Sequence, residues 1–306
     1  MEQSPSEIIM VRPRNFAFDP TTADSNAFQN RPDKDKETLV KAKAIQEFDQ
    51  VVKRFREVGI HVKVFEDNED PIPKPDAIFP NNWFSTHSNG MVLIYPMLSP
   101  NRQAERRLDV IDYLIGTNKV KEILDMSANE RNDNILEGTG SIVFDHLNKI
   151  AYACRSPRTS DLVFNRVCNL LNYKPVMFNS HDSNGKLIYH TNVILWIGSK
   201  AIGVCLDSIK DAKEKELVSS YLRLGDREIL DLNQSEILGF AGNCLELRND
   251  QGQTFLAISK RAMEAMNAKH VDQLKPCFHD ILECDVETIE HVGGGGIRCM
   301  IAGVHL

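Results

Sequence analysis

The chain has 306 residues, of which 42% are hydrophobic and 26% charged, proportions that suit a folded globular protein with a sizeable core. Its 36 Lys+Arg against 43 Asp+Glu leave a net charge of -7, which argues against nucleic acid as a partner, because binders of this size present a basic face. No apolar run reaches the roughly 18 residues that a membrane span needs, and the opening MEQSPSEIIM lacks the basic-then-apolar order of a signal peptide, so no membrane association and a cytoplasmic location are expected.

The same order of elements recurs along the chain: an amphipathic helix, a short strand, a polar or glycine-containing corner, then a hairpin. After the N-terminal strand EIIMVRP, the first helix is KETLVKAKAIQEFDQVVKRFREVG, with Leu39, Ala42, Ile45, Phe48, Val52 and Phe55 at near-helical spacing. Strand HVKVFED, corner PDAIFPNNW and hairpin FSTHSNGMVLIYP follow, the hairpin turning at Asn89-Gly90. The second round runs from AERRLDVIDYLIG through KVKEILDM to ILEGTG and SIVFDHLNKIAYAC. The third runs from DLVFNRVCNLLN through KPVMFNS to YHTN and VILWIGSKAIGVC, and the fourth from AKEKELVSSYLRLG through EILDLN to FAGN and CLELRNDQGQTFLAIS. In the fifth, AMEAMNAKH and HDILECDV lead to HVGGGGIRCMIAGVHL, where a strand is missing. The N-terminal strand can supply it by pairing with the last one, which closes a ring and hides both edges. The expectation is a single α/β domain spanning 1–306, a five-bladed propeller with its corners around one central channel.

Seven scattered cysteines without a CxxC pair make poor material for disulfides or a zinc ribbon. Six read as core residues. Cys277, His279 and Cys284 have metal-ligand types, but strand alternation points them to different faces, and no metal is expected. Cys299 differs because it follows GGGG, where backbone can approach a ligand closely.

The corners bring together Asp76, Asn81 and Asn82 from the first round, Glu137 from the second, His190 and Asn192 from the third, Asn243 from the fourth and Cys299 from the fifth. A thiolate is a strong nucleophile, a histidine can move its proton, and a carboxylate can orient and charge that histidine. Glu137, between an apolar pair and Gly-Thr-Gly, stands where an unpaired carboxylate would be costly. The glycine run lacks a following Lys-Ser/Thr and does not read as a phosphate loop.

PDAIFPNNW, LEGTG, SPRTS, YHTN and GGGGIRC together resemble the guanidino-group-modifying superfamily, the five-bladed ββαβ α/β propellers called penteins, which include arginine deiminase, dimethylarginine dimethylaminohydrolase and amidinotransferases. Those motifs and RPRNFAFDPTTADSNAFQ are most similar to the citrulline-utilisation hydrolases. The resemblance implies Cys299 as nucleophile, His190 as proton shuttle and Glu137 as the carboxylate beside it. It also implies Arg158 as the arginine that holds a substrate α-carboxylate, a task for which a bidentate guanidinium is suited, and Asp76 as a residue lining the amino-acid end of the pocket.

Two departures stand out. Asn82 replaces the acidic residue that guanidinium-binding members carry, and Asn192 replaces the aspartate of the deiminase His-x-Asp. A guanidinium has five N–H donors and no acceptor and needs anions to offset its desolvation, whereas a neutral ureido group has both donors and an acceptor, which Asn82 and Asn192 can match. The expected reaction is therefore hydrolysis of citrulline to ornithine, ammonia and carbon dioxide through an S-carbamoyl cysteine, with no cofactor. The oxyanion donors would come from Asn amides or the Gly293 to Gly296 backbone. Arginine as substrate, in one or two hydrolyses, and a non-catalytic propeller are the competing readings. The partner is a small amino acid, and a homo-oligomer is possible.

Overall fold

A computed structural model of the chain describes residues 2–23, 25–26, 28–67 and 72–306. Asp24 and Ala27, within the DPTTADSNAFQ stretch of the sequence, lie outside the described residues.

The strands form five separate three-stranded sheets. In the second blade β3 (Phe84–Thr86) and β4 (Met91–Ile94) make the expected hairpin, and β5 (Glu122–Asp125) lies parallel to β4. Two parallel neighbours need a crossover, which the helix Leu108–Gly116 provides. β6 (Val143–Asp145), β7 (Ile150–Cys154) and β8 (Lys174–Phe178) repeat the arrangement with helix Asp161–Leu171. β9 (Leu195–Ile197), β10 (Ala201–Val204) and β11 (Glu228–Asp231) do so with helix Ala212–Leu222, and β12 (Leu245–Arg248), β13 (Thr254–Ser259) and β14 (Asp280–Cys284) form the fifth blade.

The remaining blade joins the chain's two ends. β1 (Glu7–Arg12) is antiparallel to β15 (Ala302–Val304), with Ile9 opposite Ala302, and parallel to β2 (His61–Glu66), with Ile9 opposite Lys63. The N-terminal strand thus closes the ring as the sequence requires. The order of elements is the one read from the sequence, but each blade is a hairpin, its following helix and the strand after that helix. The corner falls between blades, not inside one.

The inner strands are largely buried on both faces, as in the unbroken burial of β7, while the outermost strands β2, β5, β8, β11 and β14 are partly exposed. The core lies between neighbouring blades; one cluster joins Ile9, Val11, Trp83, Phe84, Val110, Leu114 and Ala302.

Two local expectations change. The first helix, Glu37–Glu57, buries Ala44, Phe48, Val51, Val52 and Phe55, so its apolar stripe starts later than the spacing suggests, and Leu39 is 54% exposed. The fifth helix is two, Lys260–Ala265 and Ala268–Leu274. The break occurs because Asn267 leaves helical geometry and its side chain accepts from the His270 N–H, capping the second piece.

Because Ile9 is fully buried at the ring closure, Ile9→Ala is expected to cost about 2 to 5 kcal/mol in urea unfolding. Leu39→Ala should change stability by no more than about 0.5 kcal/mol; equal costs would contradict the closure as a core element.

Candidate active site

Each corner turns tightly immediately before an inner strand. The turns are Pro80–Asn82 before β3, Gly138–Ser141 before β6, Thr191–Val193 before β9 and Ile297–Met300 before β15, with residues 240–243 preceding β12. All five corners consequently meet at one end of the central channel. Close approach there requires glycine: a Cβ on Gly138, whose φ is +42°, would sit 2.6 Å from the Asn81 carbonyl oxygen, and one on Gly140 would sit 2.8 Å from the His190 ring.

At this end a small cavity is lined by Cys299, His190, Asn82, Asp76, Arg158 and Arg102, together with Tyr189, Phe79, Asn26 and the glycine run. Cys299 and His190 are buried, and Glu137 is buried behind them. Glu137 Oε2 is 2.8 Å from His190 Nε2 and accepts from Arg158 Nη1 at 3.3 Å, while Oε1 accepts from the Leu98 N–H at 3.1 Å. Burial alone would raise this carboxyl, but Arg158, the His190 hydrogen bond and the charge of Arg102 hold it well below the usual carboxylate range. Burial draws His190 down to about 4, and its hydrogen bond with Glu137 opposes this only in part, so the resting imidazole is neutral at pH 7.

Burial pushes the Cys299 thiol up, against the amide of Asn243, the charge of Arg298 and the amide of Asn192. Asn192 Nδ2 lies 3.5 Å and Asn243 Nδ2 3.4 Å from Sγ, and Asn243 also donates to the Asn192 carbonyl at 2.9 Å. The resting pair is therefore a neutral thiol and a neutral imidazole.

Of the residues named from the sequence, Cys299, His190, Asn82, Asp76 and Arg158 share the cavity, Glu137 supports His190, and Asn192 touches the sulfur. Asn81 is buried but does not line the cavity, and neither its amide nitrogen nor its oxygen has a partner among the described residues. The Asn82 and Asn192 side-chain oxygens are likewise without partners there. Arg158 is more committed than a free carboxylate clamp. Besides Glu137, it donates to Ser25 Oγ at 2.6 Å and to the Thr22 carbonyl at 3.2 Å, and it stacks 5.0 Å from the Tyr189 ring centroid.

The sequence reading missed Arg102. It is buried, 2.6 Å from Glu105 Oε1 and 4.0 Å from Asp76 Oδ2, and donates to the Phe79 carbonyl. Burial raises Asp76 to about 6 and Glu105 to about 8 despite this arginine. In SPNRQAERR the three arginines look alike; Arg106 and Arg107 pair with Glu130 and Asp109, and only the fold singles out Arg102.

The glycine run contributes less donor capacity than expected. The Gly294 N–H is bonded to the Glu290 carbonyl and the Cys299 N–H to the Gly296 carbonyl. The carbonyls of Gly293 and Gly294 accept from Asn26, Gln29 and the Tyr189 hydroxyl. Asn26, which also lines the cavity, and Gln29 are thereby held against the glycine run. The N–H donors at the sulfur are the amides of Asn243 and Asn192 together with the Gly296 backbone N–H. Among the described residues no group of three or more His, Cys, Asp or Glu side chains is arranged to hold a metal, and no helix is long and apolar enough to cross a membrane.

A family model described as N,N dimethylarginine dimethylhydrolase, eukaryotic, matches residues 12–306. The chain belongs to that family. It is a pentein of the guanidino-modifying superfamily. The fold is shared with ArgZ, an arginine dihydrolase from the ornithine-ammonia cycle in cyanobacteria, at TM-score 0.74 and 14% identity, covering 98% of this chain and 40% of ArgZ. The N-terminal domain of ArgZ, in a cysteine-to-serine mutant bound to substrate, matches at TM-score 0.73 and 15% identity over 98% of both chains. A dimethylarginine dimethylaminohydrolase from Pseudomonas aeruginosa, complexed with citrulline, matches at TM-score 0.66 and 13% identity over 98% of this chain and 99% of that one. The chain thus spans about two fifths of full-length ArgZ. Among curated protein sequences none matches.

With burial raising the Cys299 thiol from its ordinary 9.0, alkylation by iodoacetamide, followed on the Cys299 peptide by mass spectrometry, should rise with pH through a midpoint above 9. Asn243→Ala should move the midpoint higher still. A wild-type midpoint near 7 would mean a preformed thiolate and imidazolium.

Proposed function

We propose that this member of the family hydrolyses the ureido C–N bond of citrulline, giving ornithine and carbamate, which decays to ammonia and carbon dioxide. The observation that carries the reading is the distribution of charge around Cys299. Its side-chain hydrogen-bond partners are the amides of Asn192 and Asn243, and among the described residues the one carboxylate lining the cavity, Asp76, has Arg102 beside it. A guanidinium entering a cavity that already holds Arg102 and Arg158 adds a third buried cation, for which little anionic compensation remains. A ureido head is neutral and is matched by the partnerless oxygens of Asn82 and Asn192.

In this reading Arg158 and Arg102 attract the α-carboxylate and Asp76 attracts the α-ammonium. Cys299 Sγ attacks the ureido carbon while its proton passes to the His190 nitrogen that Glu137 does not hold. Negative charge develops on the ureido oxygen, which the Asn amides stabilise. The imidazolium, steadied by Glu137, protonates the departing δ-nitrogen, and ornithine leaves an S-carbamoyl enzyme. His190 next takes a proton from water, the hydroxyl adds to the carbamoyl carbon, and the sulfur departs and regains its proton as carbamate is released. Burial and the shared carboxylate make His190 suited to both roles.

Arginine is the competing substrate, favoured by the likeness to ArgZ, an arginine dihydrolase. The purified chain, incubated separately with citrulline and arginine, is expected to release ornithine and ammonia from citrulline and little from arginine. Cys299→Ser should abolish turnover while leaving the fold intact, and substantial residual activity would remove Cys299 from its role; wild type that turns over neither substrate and shows no saturable thiol labelling at Cys299 would favour a non-catalytic propeller. Asn82→Asp should raise the ratio of kcat/KM for arginine to that for citrulline by at least about tenfold, or ~1.4 kcal/mol. Wild-type preference for arginine overturns the neutral-head reading.

A further inference from the structure

The five inner strands run away from the catalytic corners, and the far end of the channel they enclose is not filled. A cavity of about 60 Å³ is walled there by the first strand of every blade, through residues such as Phe84, Val143, Leu195, Leu245 and Ala302. It adjoins a smaller space of about 40 Å³ with which it shares His87, His146 and His305. Together these are several times the room one water needs, enough for a small anion and not for a large ligand. The smaller space reaches the surface between the exposed hairpin tip Ser88-Asn89 and Lys149.

Among the described residues no Asp or Glu lines either space, while Arg298, Lys149 and the three histidines do. Arg298 is the residue before the nucleophile, yet its side chain enters this distal cavity. Its guanidinium donates to the Ile301 carbonyl at 3.0 Å, and among the described residues no carboxylate pairs with it. Burial lowers Arg298 to about 10, with the Cys299 sulfur as the opposing charge. A guanidinium drawn into a cavity without an anion is costly.

The histidines are held in place. His146 Nδ1 is 2.7 Å from the Tyr173 hydroxyl, and its ring lies 4.4 Å from that of His305. His87 Nε2 is 2.7 Å from Ser85 Oγ, which also meets the Tyr95 hydroxyl. Lys149 Nζ lies over the Tyr173 ring at 4.6 Å. Burial first, and then the neighbouring cations and histidines, draw His87 to about 3, His305 to about 4 and His146 well below its ordinary value. Each ring is then neutral and still carries one N–H that can donate to an anion. The three rings are not arranged to hold a metal, and the facing cations repel one.

We propose that the distal end of the channel is a second binding site, separate from the Cys299 cavity, for a small anion bearing carboxylate or phosphoryl oxygens, with Arg298 at its inner end and the His87, His146 and His305 cluster around it. An anion there offsets the cation next to Cys299, so occupancy makes the thiol less acidic and links the site to the nucleophile.

The test is calorimetric titration of the full chain with inorganic phosphate and, separately, with succinate, at pH 6.5 and low chloride. The two probes separate phosphoryl from carboxylate ligands. Saturable binding of at least one is expected, weakened tenfold or more by His305→Gln and by Arg298→Met and kept in Arg102→Met, which removes a cation from the Cys299 cavity instead. If Arg298→Met does not fold, His305→Gln decides alone. Absence of saturable binding, binding unchanged in the distal variants, or binding lost in Arg102→Met overturns the proposal. None of these readouts uses turnover, so the citrulline reading stands or falls separately.

Discussion

Everything around the channel depends on the pairing of β1 with both β2 and β15. A ring of five blades needs one sheet completed from the two ends of the chain, and Ile9, opposite Lys63 on one side and Ala302 on the other, is at that seam. β15 begins three residues after Cys299, so the same pairing that hides two sheet edges also fixes the turn Ile297–Met300. Without it the sulfur would not be held against amides from the third and fourth corners, which come from elements 107 and 56 residues earlier in the chain. Closure of the ring and placement of Cys299 are therefore one structural event.

A second constraint is the buried Glu137 carboxylate. It is shared between His190 and Arg158, and Arg158 continues to Ser25 and the Thr22 carbonyl. The group that orients the histidine thereby also ties down the segment that brings Asn26 to the cavity, and removing one partner of such a buried pair costs about 3 to 5 kcal/mol because the other charge is stranded. Anchoring that segment and orienting the histidine are thermodynamically coupled through one side chain.

Much of this arrangement is legible in the sequence, for reasons particular to each part. Helices and hairpins show because period 3.6 and period 2 are local, and the corners show because they recur in fixed order after a short strand. Cys299 stands out by its glycines, and Gly138 and Gly140 give a reason for glycine beside Glu137, since a Cβ there meets Asn81, Asn82 or His190. The boundary between blades did not show, because strand order alone does not say whether β2 joins the hairpin after it or the strand before the helix. Arg102 did not show because its role arises from Asp76 and Glu105 being brought beside it. The distal cavity was invisible for a related reason: its lining is one residue here and there from five strands, and the cation at its inner end is read in sequence only as the neighbour of the catalytic cysteine.

The charges of the molecule are sorted along the channel axis. At the corner end, carboxylates and guanidiniums alternate in contact, Glu137 with Arg158 and Asp76 and Glu105 with Arg102, so the charges there are largely matched before any substrate arrives. What remains around the sulfur is dipolar. Burial raises both Asp76 and the thiol, which shows how far solvent is excluded and why an additional unpaired charge would be costly in that place. A zwitterionic amino acid with a neutral head adds no net charge to such a site: its own two charges meet the cations and anion at one end, and its head meets amides at the other. The selectivity of the proposed reaction thus rests on two side-chain amides standing where a carboxylate would have the same shape, a change of charge without a change of volume.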